Sequence, residues 1–165
     1  MYNVGLPIIN KTYAELKNEK LVPFINAINN NAKIIMVGHL ALPKITGDNT
    51  PATLSKKIVT DILKNDLGYQ GLIITDGLNI GALTKSYSDE EIYIGAINAG
   101  CDLLLMPNGS KKAIEIIKKN IDEERINESV RKLLIFKYTY LNKDNTLDDS
   151  YIGTKENLDI INQIK

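Results

Sequence analysis

The chain's 165 residues are 44% hydrophobic and 24% charged, a balance that suits one globular domain with enough Ile and Leu for a real core. Its 20 basic and 20 acidic residues cancel and are interleaved, which excludes a basic stripe for nucleic acid. A single cysteine, Cys101, excludes an intramolecular disulfide and, at the head of an apolar run, reads as a buried inert thiol.

At the N-terminus, MYNVGLPIINK lacks both the basic head and the long apolar run of a signal peptide, so a cytoplasmic location is the default expectation. No segment anywhere approaches the ~20 apolar residues that span a bilayer. Thr12 and Glu15 form a T-x-x-E capping box that opens a helix, and Pro23 must kink or divide it. Lys33–Gly38 (KIIMVG) is the first short apolar run of the kind found in fully buried parallel strands. The loop Leu40–Ala52 is long for a βα connection, which suggests a pocket rim, while its Gly47-Asp48-Asn49 tip is equally ordinary turn chemistry.

Ser55 is placed to cap a helix over Lys56–Leu67 with an apolar face of Ile58, Val59, Ile62 and Leu63, stopped by Gly68. A second buried strand, Gly71–Thr75 (GLIIT), follows. Ser88 and Glu91 make another capping box, for a helix that ends at Gly100. Leu103–Met106 is the third strand, then come helices from Ser110 to about Ile121 and from about Glu123 to Leu141, the latter with Ile126, Val130, Leu133 and Leu134 on one face. The strands start roughly 30 to 40 residues apart, the length of one βα unit. Residues 1–141 therefore read as one domain, and 142–165 as a polar linker (Asn142–Ser150) with a short amphipathic tail carrying Leu158, Ile161 and Ile164.

Repeated βα units leave a small open doubly wound sheet or a slice of an eight-stranded barrel. A nucleotide-binding turn would need G-x-G-x-x-G, and DGLNIGAL lacks that spacing. A whole barrel takes ~250 residues, and three strands cannot close one. In either arrangement ligands bind at the carboxyl ends of the strands. Asp76 directly follows GLIIT and His39 directly follows KIIMVG, so both lie at that end, whereas Asp102 precedes its strand and lies at the opposite, stability face. From position alone Asp76 is as readily a helix N-cap as a carboxylate in a pocket with Gly77 leaving room for substrate. A phosphoryl-accepting role needs a second Asp two residues on, where Leu78 stands. One His and one distant Asp are too few for a metal, and no cofactor is expected.

Residues 36–107, MVGHLALPKITGDNTPATLSKKIVTDILKNDLGYQGLIITDGLNIGALTKSYSDEEIYIGAINAGCDLLLMP, together with the later INESVRKLLIFKY, resemble glycoside hydrolase family 3. The nearest branch is that of the bacterial β-N-acetylhexosaminidases acting on N-acetylglucosamine-containing glycans, enzymes of carbohydrate metabolism and cell-wall recycling. The resemblance covers roughly residues 4–141 and implies the last three βα units of a (β/α)8 TIM barrel with an additional C-terminal helix. It implies a retaining hydrolase of terminal β-linked sugars in which Asp76 is the nucleophile, attacking the anomeric carbon to form a glycosyl-enzyme that water cleaves. It places His39 in the lining of the sugar subsite.

The family's partner acid/base is an Asp-x-His dyad just before a segment like VGLPIINK, and here Met1 and Asn3 occupy those two places. Neither exchanges a proton usefully near neutral pH. Ile80 stands where relatives carry Met, and Gly77 where they carry Asp or Ala. The chain by itself is thus expected to be inactive, lacking the dyad and the preceding half of the barrel. The alternatives are a non-catalytic half-barrel that self-associates or complements another chain through its open sheet edges, and a small α/β module that binds sugar without chemistry.

Overall fold

The computed structural model describes residues 5–141 and 154–155. Met1, Asn3, the 142–150 linker and the segment holding Leu158, Ile161 and Ile164 lie outside the described residues. The chain falls into two compact units, Met1–Leu134 and Ile135–Lys165.

The first unit is mixed α/β. Helix α1 (Tyr13–Asn18) opens on the expected capping box, with the Thr12 amide donating to Glu15 Oε2 at 2.6 Å and the Glu15 amide donating to Thr12 Oγ1 at 3.4 Å. Pro23 divides rather than kinks: α1 ends, and α2 (Val22–Asn29) begins with the proline in its first turn, where its missing amide hydrogen costs nothing. Strand β1 (Ile34–Val37) pairs in parallel with β2 (Leu72–Thr75), in a register that sets Ile34 against Leu72 and Val37 against Thr75.

The third expected strand, Leu103–Met106, does not form a ladder. It makes one parallel bridge, Leu103 to Ile74, because side chains take over the rungs on either side of it. The Ile73 amide donates to Asp102 Oδ2 at 3.1 Å and the Leu105 amide donates to Thr75 Oγ1 at 2.9 Å, leaving the backbone bonds of Leu103 to Ile73 and Thr75 between them. Met106 then turns the chain away at φ 50°.

β1 also departs from the expected full burial. Ile35 and Val37 pack into the core, but Ile34 is 44% exposed and Met36 51% exposed. Since neighbouring residues of a strand face opposite sides, one face of β1 is packed and the other carries two large apolar side chains in the open.

Between the strands lie α3 (Pro43–Thr46), a 3-10 turn (Ala52–Leu54) and a π-helix (Lys57–Asp66). The π-helix replaces the expected α-helix. Its Val59 and Ile62 are buried and its Ile58 and Leu63 pack beside them, so the predicted apolar face survives the change of pitch. The expected Ser55 cap is not made: Lys56 is the N-cap, without a side-chain cap bond, and Ser55 contributes only its carbonyl, which accepts from the Ile58 and Val59 amides. The Thr60 hydroxyl on this element donates to the Ala99 carbonyl at 2.7 Å, tying it to the end of α5.

Helices α4 (Gly81–Thr84), α5 (Asp89–Ala99), α6 (Ser110–Asn120) and α7 (Glu123–Tyr140) complete the order. The Ser88–Glu91 capping box opens α5, and Gly100 closes it at φ 119°. Of the expected apolar face of α7, Ile126 and Leu133 are half-buried, while Val130 and Leu134 are exposed. The core has two parts. One gathers Ile35, Val37, Val59, Ile73, Ala96 and Cys101 around the sheet, and the other gathers Leu78, Leu83, Ile92, Tyr93 and Ala113 under α4, α5 and α6.

In the second unit the end of α7 carries Phe136 and Tyr140, whose ring centroids are 5.2 Å apart. Among the described residues no helix is long and apolar enough to cross a membrane.

Candidate functional site

Asp76 leaves the carboxyl end of β2 on a turn held by its neighbours. Its amide donates to the Val37 carbonyl at the end of β1 at 3.0 Å, and the Leu78 amide donates to the Leu105 carbonyl at 2.9 Å. Between them the Gly77 amide donates to Asp76 Oδ1 at 2.7 Å. The Asp76 side chain is half-buried, while Gly77 and Leu78 are buried. No helix starts here, since α4 begins at Gly81 with Ile80 as its cap. The helix N-cap alternative for Asp76 is therefore excluded, and its carboxylate faces only the amide of its own next residue among the bonds described.

The structure brings His39 to the same turn. Its Nε2 lies 3.1 Å from the Gly77 carbonyl and its Nδ1 lies 2.7 Å from Thr53 Oγ1. The ring is 6% exposed. Burial pushes the His39 pKa below its ordinary value, and the Gly77 carbonyl and the Asp76 charge pull it part of the way back. Thr53, fully buried on the 3-10 turn, also approaches the Gly38 carbonyl at 3.1 Å and the Val37 carbonyl at 3.3 Å.

Sequence reasoning missed Thr53, whose position in PATLS carries no periodic or capping signal. Its role depends on the loop closing back over 14 residues onto His39. That closure comes from a parallel bridge of Ile8 to Ala41 and an antiparallel one of Ala41 to Pro51. The tip of the loop is turn chemistry, with Gly47 at φ 87° and the Thr50 amide donating to Asp48 Oδ1 at 2.9 Å.

Gly77 turns out not to be required by space. A Cβ built there would meet Asn79 Oδ1 at 3.6 Å and Met106 Sδ at 3.8 Å, ordinary contacts. Gly71, read in the sequence only as the start of the second strand, is required: a Cβ would fall 2.3 Å from Tyr69 Oη and 2.7 Å from the Lys33 carbonyl.

Asp102 lies apart from this turn, as its position before the bridge anticipates. Its side chain is 0% exposed and anchors the amide of Ile73, the Ser129 hydroxyl at 2.8 Å and the Lys132 ammonium at 3.6 Å. Arg125 completes the knot, donating to the Cys101 carbonyl at 2.8 Å and to Ser129 Oγ at 2.7 Å. Cys101 is buried, and burial first of all pushes its thiol pKa up to about 12, which makes it inert as a nucleophile. Beside it a cleft of about 390 Å³ runs between α5, α6 and α7, lined by Ile97, Ile117, Ile126 and Leu133, and neither Asp76 nor His39 lines it. Among the described residues no group of three His, Cys, Asp or Glu side chains could hold a metal ion.

Residues 3–135 match the family model of the glycosyl hydrolase family 3 N-terminal domain. The chain is 32% identical over 115 residues to a beta-hexosaminidase of Nitrosomonas eutropha, covering 70% of this chain and 32% of that protein. It is 31% identical over 108 residues to a beta-hexosaminidase of Nitrosospira multiformis, covering 66% of this chain and 30% of that one. Among solved structures, a glycoside hydrolase family 3 beta-N-acetylglucosaminidase from Paenibacillus sp. superposes with a TM-score of 0.83 at 30% identity, over 97% of this chain and 33% of that chain. The beta-N-acetylglucosaminidase from Thermotoga maritima superposes with a TM-score of 0.74 at 29% identity, over 79% and 31%. The chain thus spans about a third of the length of these curated relatives.

Proposed function

We propose, from the premise that the chain belongs to glycoside hydrolase family 3, that it carries the nucleophile side of a site for retaining hydrolysis of terminal β-linked N-acetylglucosamine. The observation that carries this reading is the Asp76 turn. It stands at the carboxyl end of a parallel strand, where α/β folds bind ligands, and its carboxylate is oriented by the Gly77 amide without serving as a helix cap. A carboxylate so placed can attack an anomeric carbon as its bond to the aglycone oxygen breaks, forming a glycosyl ester that water then cleaves to free the carboxylate. His39, packed against the same turn, forms the floor of the sugar subsite.

The parallel β1–β2 pair with Leu103 bridged beside it supports reading the first unit as three consecutive βα units of a TIM barrel. Ile34 and Met36 would then face the barrel interior. The acid/base dyad of the family aligns with Met1 and Asn3, which cannot exchange the proton a poor leaving group needs. The 165-residue chain by itself is accordingly proposed to turn over unactivated glycosides negligibly. Glycosylation of Asp76 by a fluorinated N-acetylglucosaminyl donor with a good leaving group needs no acid, so labelling followed by peptide mapping is the direct test. Label on Asp76, absent in Asp76→Asn, is the expected result, and label elsewhere or none would sink the nucleophile assignment.

A second reading rests on the open face of β1. Two positions on one face of the strand bearing Ile34 and Met36, 44% and 51% exposed, suit a half-barrel that pairs with another copy or with a complementary chain. Light scattering of the purified chain decides it: a concentration-independent monomer would remove this reading, and a dimer disrupted by Met36→Lys would support it.

A further inference from the structure

We propose that His39 is a positioning residue for Asp76, donating its Nε2 hydrogen to the Gly77 carbonyl and thereby fixing the turn whose amide holds the carboxylate. The inference rests on Asp76 being the nucleophile and adds how the nucleophile is aimed.

The proton count around Thr53 selects the tautomer. Thr53 has one hydroxyl hydrogen and three acceptors in reach: His39 Nδ1 at 2.7 Å, the Gly38 carbonyl at 3.1 Å and the Val37 carbonyl at 3.3 Å. If the ring carried its hydrogen on Nδ1, the bare Nε2 would face the lone pairs of the Gly77 carbonyl at 3.1 Å. Placing the hydrogen on Nε2 turns that contact into a hydrogen bond, and the Thr53 hydroxyl then donates to Nδ1 across the shortest of its three contacts. This arrangement satisfies both ring nitrogens without a charge in a site that is 6% exposed.

The consequence reaches the Asp76 carboxylate through Gly77, beside the direct action of the Asp76 backbone and charge on the ring. Gly77 has its carbonyl on His39 and its amide on Asp76 Oδ1, and a glycine has the widest backbone freedom of any residue. Val37 and Leu105 hold the residues on either side, and His39 is what holds Gly77 itself. With Oδ1 so anchored, the plane in which Oδ2 meets a sugar is set. A misplacement of about 1 Å at a reacting group can cost ~100-fold in rate.

His39 is the chain's only histidine, so the nitrogen-15 spectrum of its imidazole is unambiguous. The expected result at pH 7.5 is a proton-bearing Nε2 and a bare Nδ1, with Nδ1 shifted in Thr53→Val. A proton on Nδ1, or rapid averaging of the two, would overturn the proposal whatever the enzyme does. The functional arm uses the labelling of Asp76 described above. His39→Leu should label about 10- to 100-fold more slowly at saturating donor, and His39→Gln, which keeps an N–H donor, should recover most of that loss. Labelling of His39→Leu at the wild-type rate would overturn the positioning role while leaving the nucleophile standing. Failure of the wild-type chain to label would instead overturn the nucleophile reading, and this role with it.

Discussion

Asp102 Oδ2 accepts the Ile73 amide hydrogen at 3.1 Å, so a carboxylate supplies the rung that the backbone of the neighbouring segment leaves out. The same side chain is 0% exposed, takes the Ser129 hydroxyl on its other oxygen and neutralises part of the charge of Arg125 and Lys132. Removing one member of such a group strands the others. Asp102→Ala should therefore lower unfolding free energy by about 3 kcal/mol, from a buried amide and the Ser129 hydroxyl left without their acceptor and from two cations that keep only the more exposed Glu128 as an ionic partner. Asp102→Asn keeps an acceptor and should cost about half of that. Urea unfolding followed by circular dichroism measures both, and an alanine variant within about 0.5 kcal/mol of wild type, the size of an ordinary surface effect, would show that the knot contributes nothing.

Gly71 and Gly77 look alike in the sequence and should behave oppositely. A methyl at Gly71 collides with Tyr69 Oη and with the Lys33 carbonyl, which belongs to backbone and cannot step aside. Gly71→Ala should destabilise by about 1–3 kcal/mol or more, as overpacking does. Gly77→Ala meets only ordinary contacts and should change stability by less than ~0.5 kcal/mol. Thermal melts of the pair settle the contrast, and equal losses in both would contradict it.

What the sequence disclosed was mostly local. Thr12 with Glu15 and Ser88 with Glu91 are read correctly because a capping box closes within four residues, and Gly100 because a left-handed stop needs no distant partner. The place of Asp76 was legible for a similar reason, since a strand exit follows from the apolar run before it. The third strand was not, because its shortening depends on Asp102 reaching Ile73 and on Thr75 reaching Leu105 across about thirty residues, contacts that periodicity does not encode. The π-helix kept its apolar face while changing its hydrogen bonds, so the pattern of Ile58, Val59, Ile62 and Leu63 predicted the burial and missed the pitch. Thr53 was invisible because its partner His39 comes to it only through the fold of the loop.

The pH dependence of stability near neutrality should belong to His39. Its folded pKa is lowered, chiefly by burial, from an ordinary value of 6.5, so the unfolded chain binds the proton more readily. Its contribution is complete above pH 6.5 and is lost as pH falls below it toward the folded value. The slope cannot exceed about 1.4 kcal/mol per pH unit for one proton. Asp76 is the charged group acting on the ring, and it only moderates the shift. The carboxylates of Glu15, Asp48, Asp89 and Glu91 are held below their ordinary values by hydrogen bonds and lose their share only in more acid solution. Urea midpoints between pH 8 and 5 should fall in the wild-type chain and stay flat in His39→Gln. A slope unchanged in the variant would assign it elsewhere.

On the proposed reading the chemistry divides into a step the chain should attempt and one it should not complete on a poor leaving group. Attack by Asp76 requires an oriented carboxylate, which the Gly77 amide supplies at 2.7 Å. Departure of an alkoxide requires a proton, and the aligned dyad positions offer Met1 and Asn3. A general acid contributes typically 10²–10⁴-fold, and that factor is expected to be lost in full for a natural disaccharide and little felt by an activated fluoride. The 165-residue chain should then form the ester with the activated donor, show no measurable release from an N-acetylglucosaminyl disaccharide, and lose labelling entirely in Asp76→Asn. Paired assays on the same preparation, mass spectrometry for the ester and reducing-sugar release for turnover, separate the two steps. Brisk disaccharide hydrolysis that survives Asp76→Asn would place the reaction on other residues altogether.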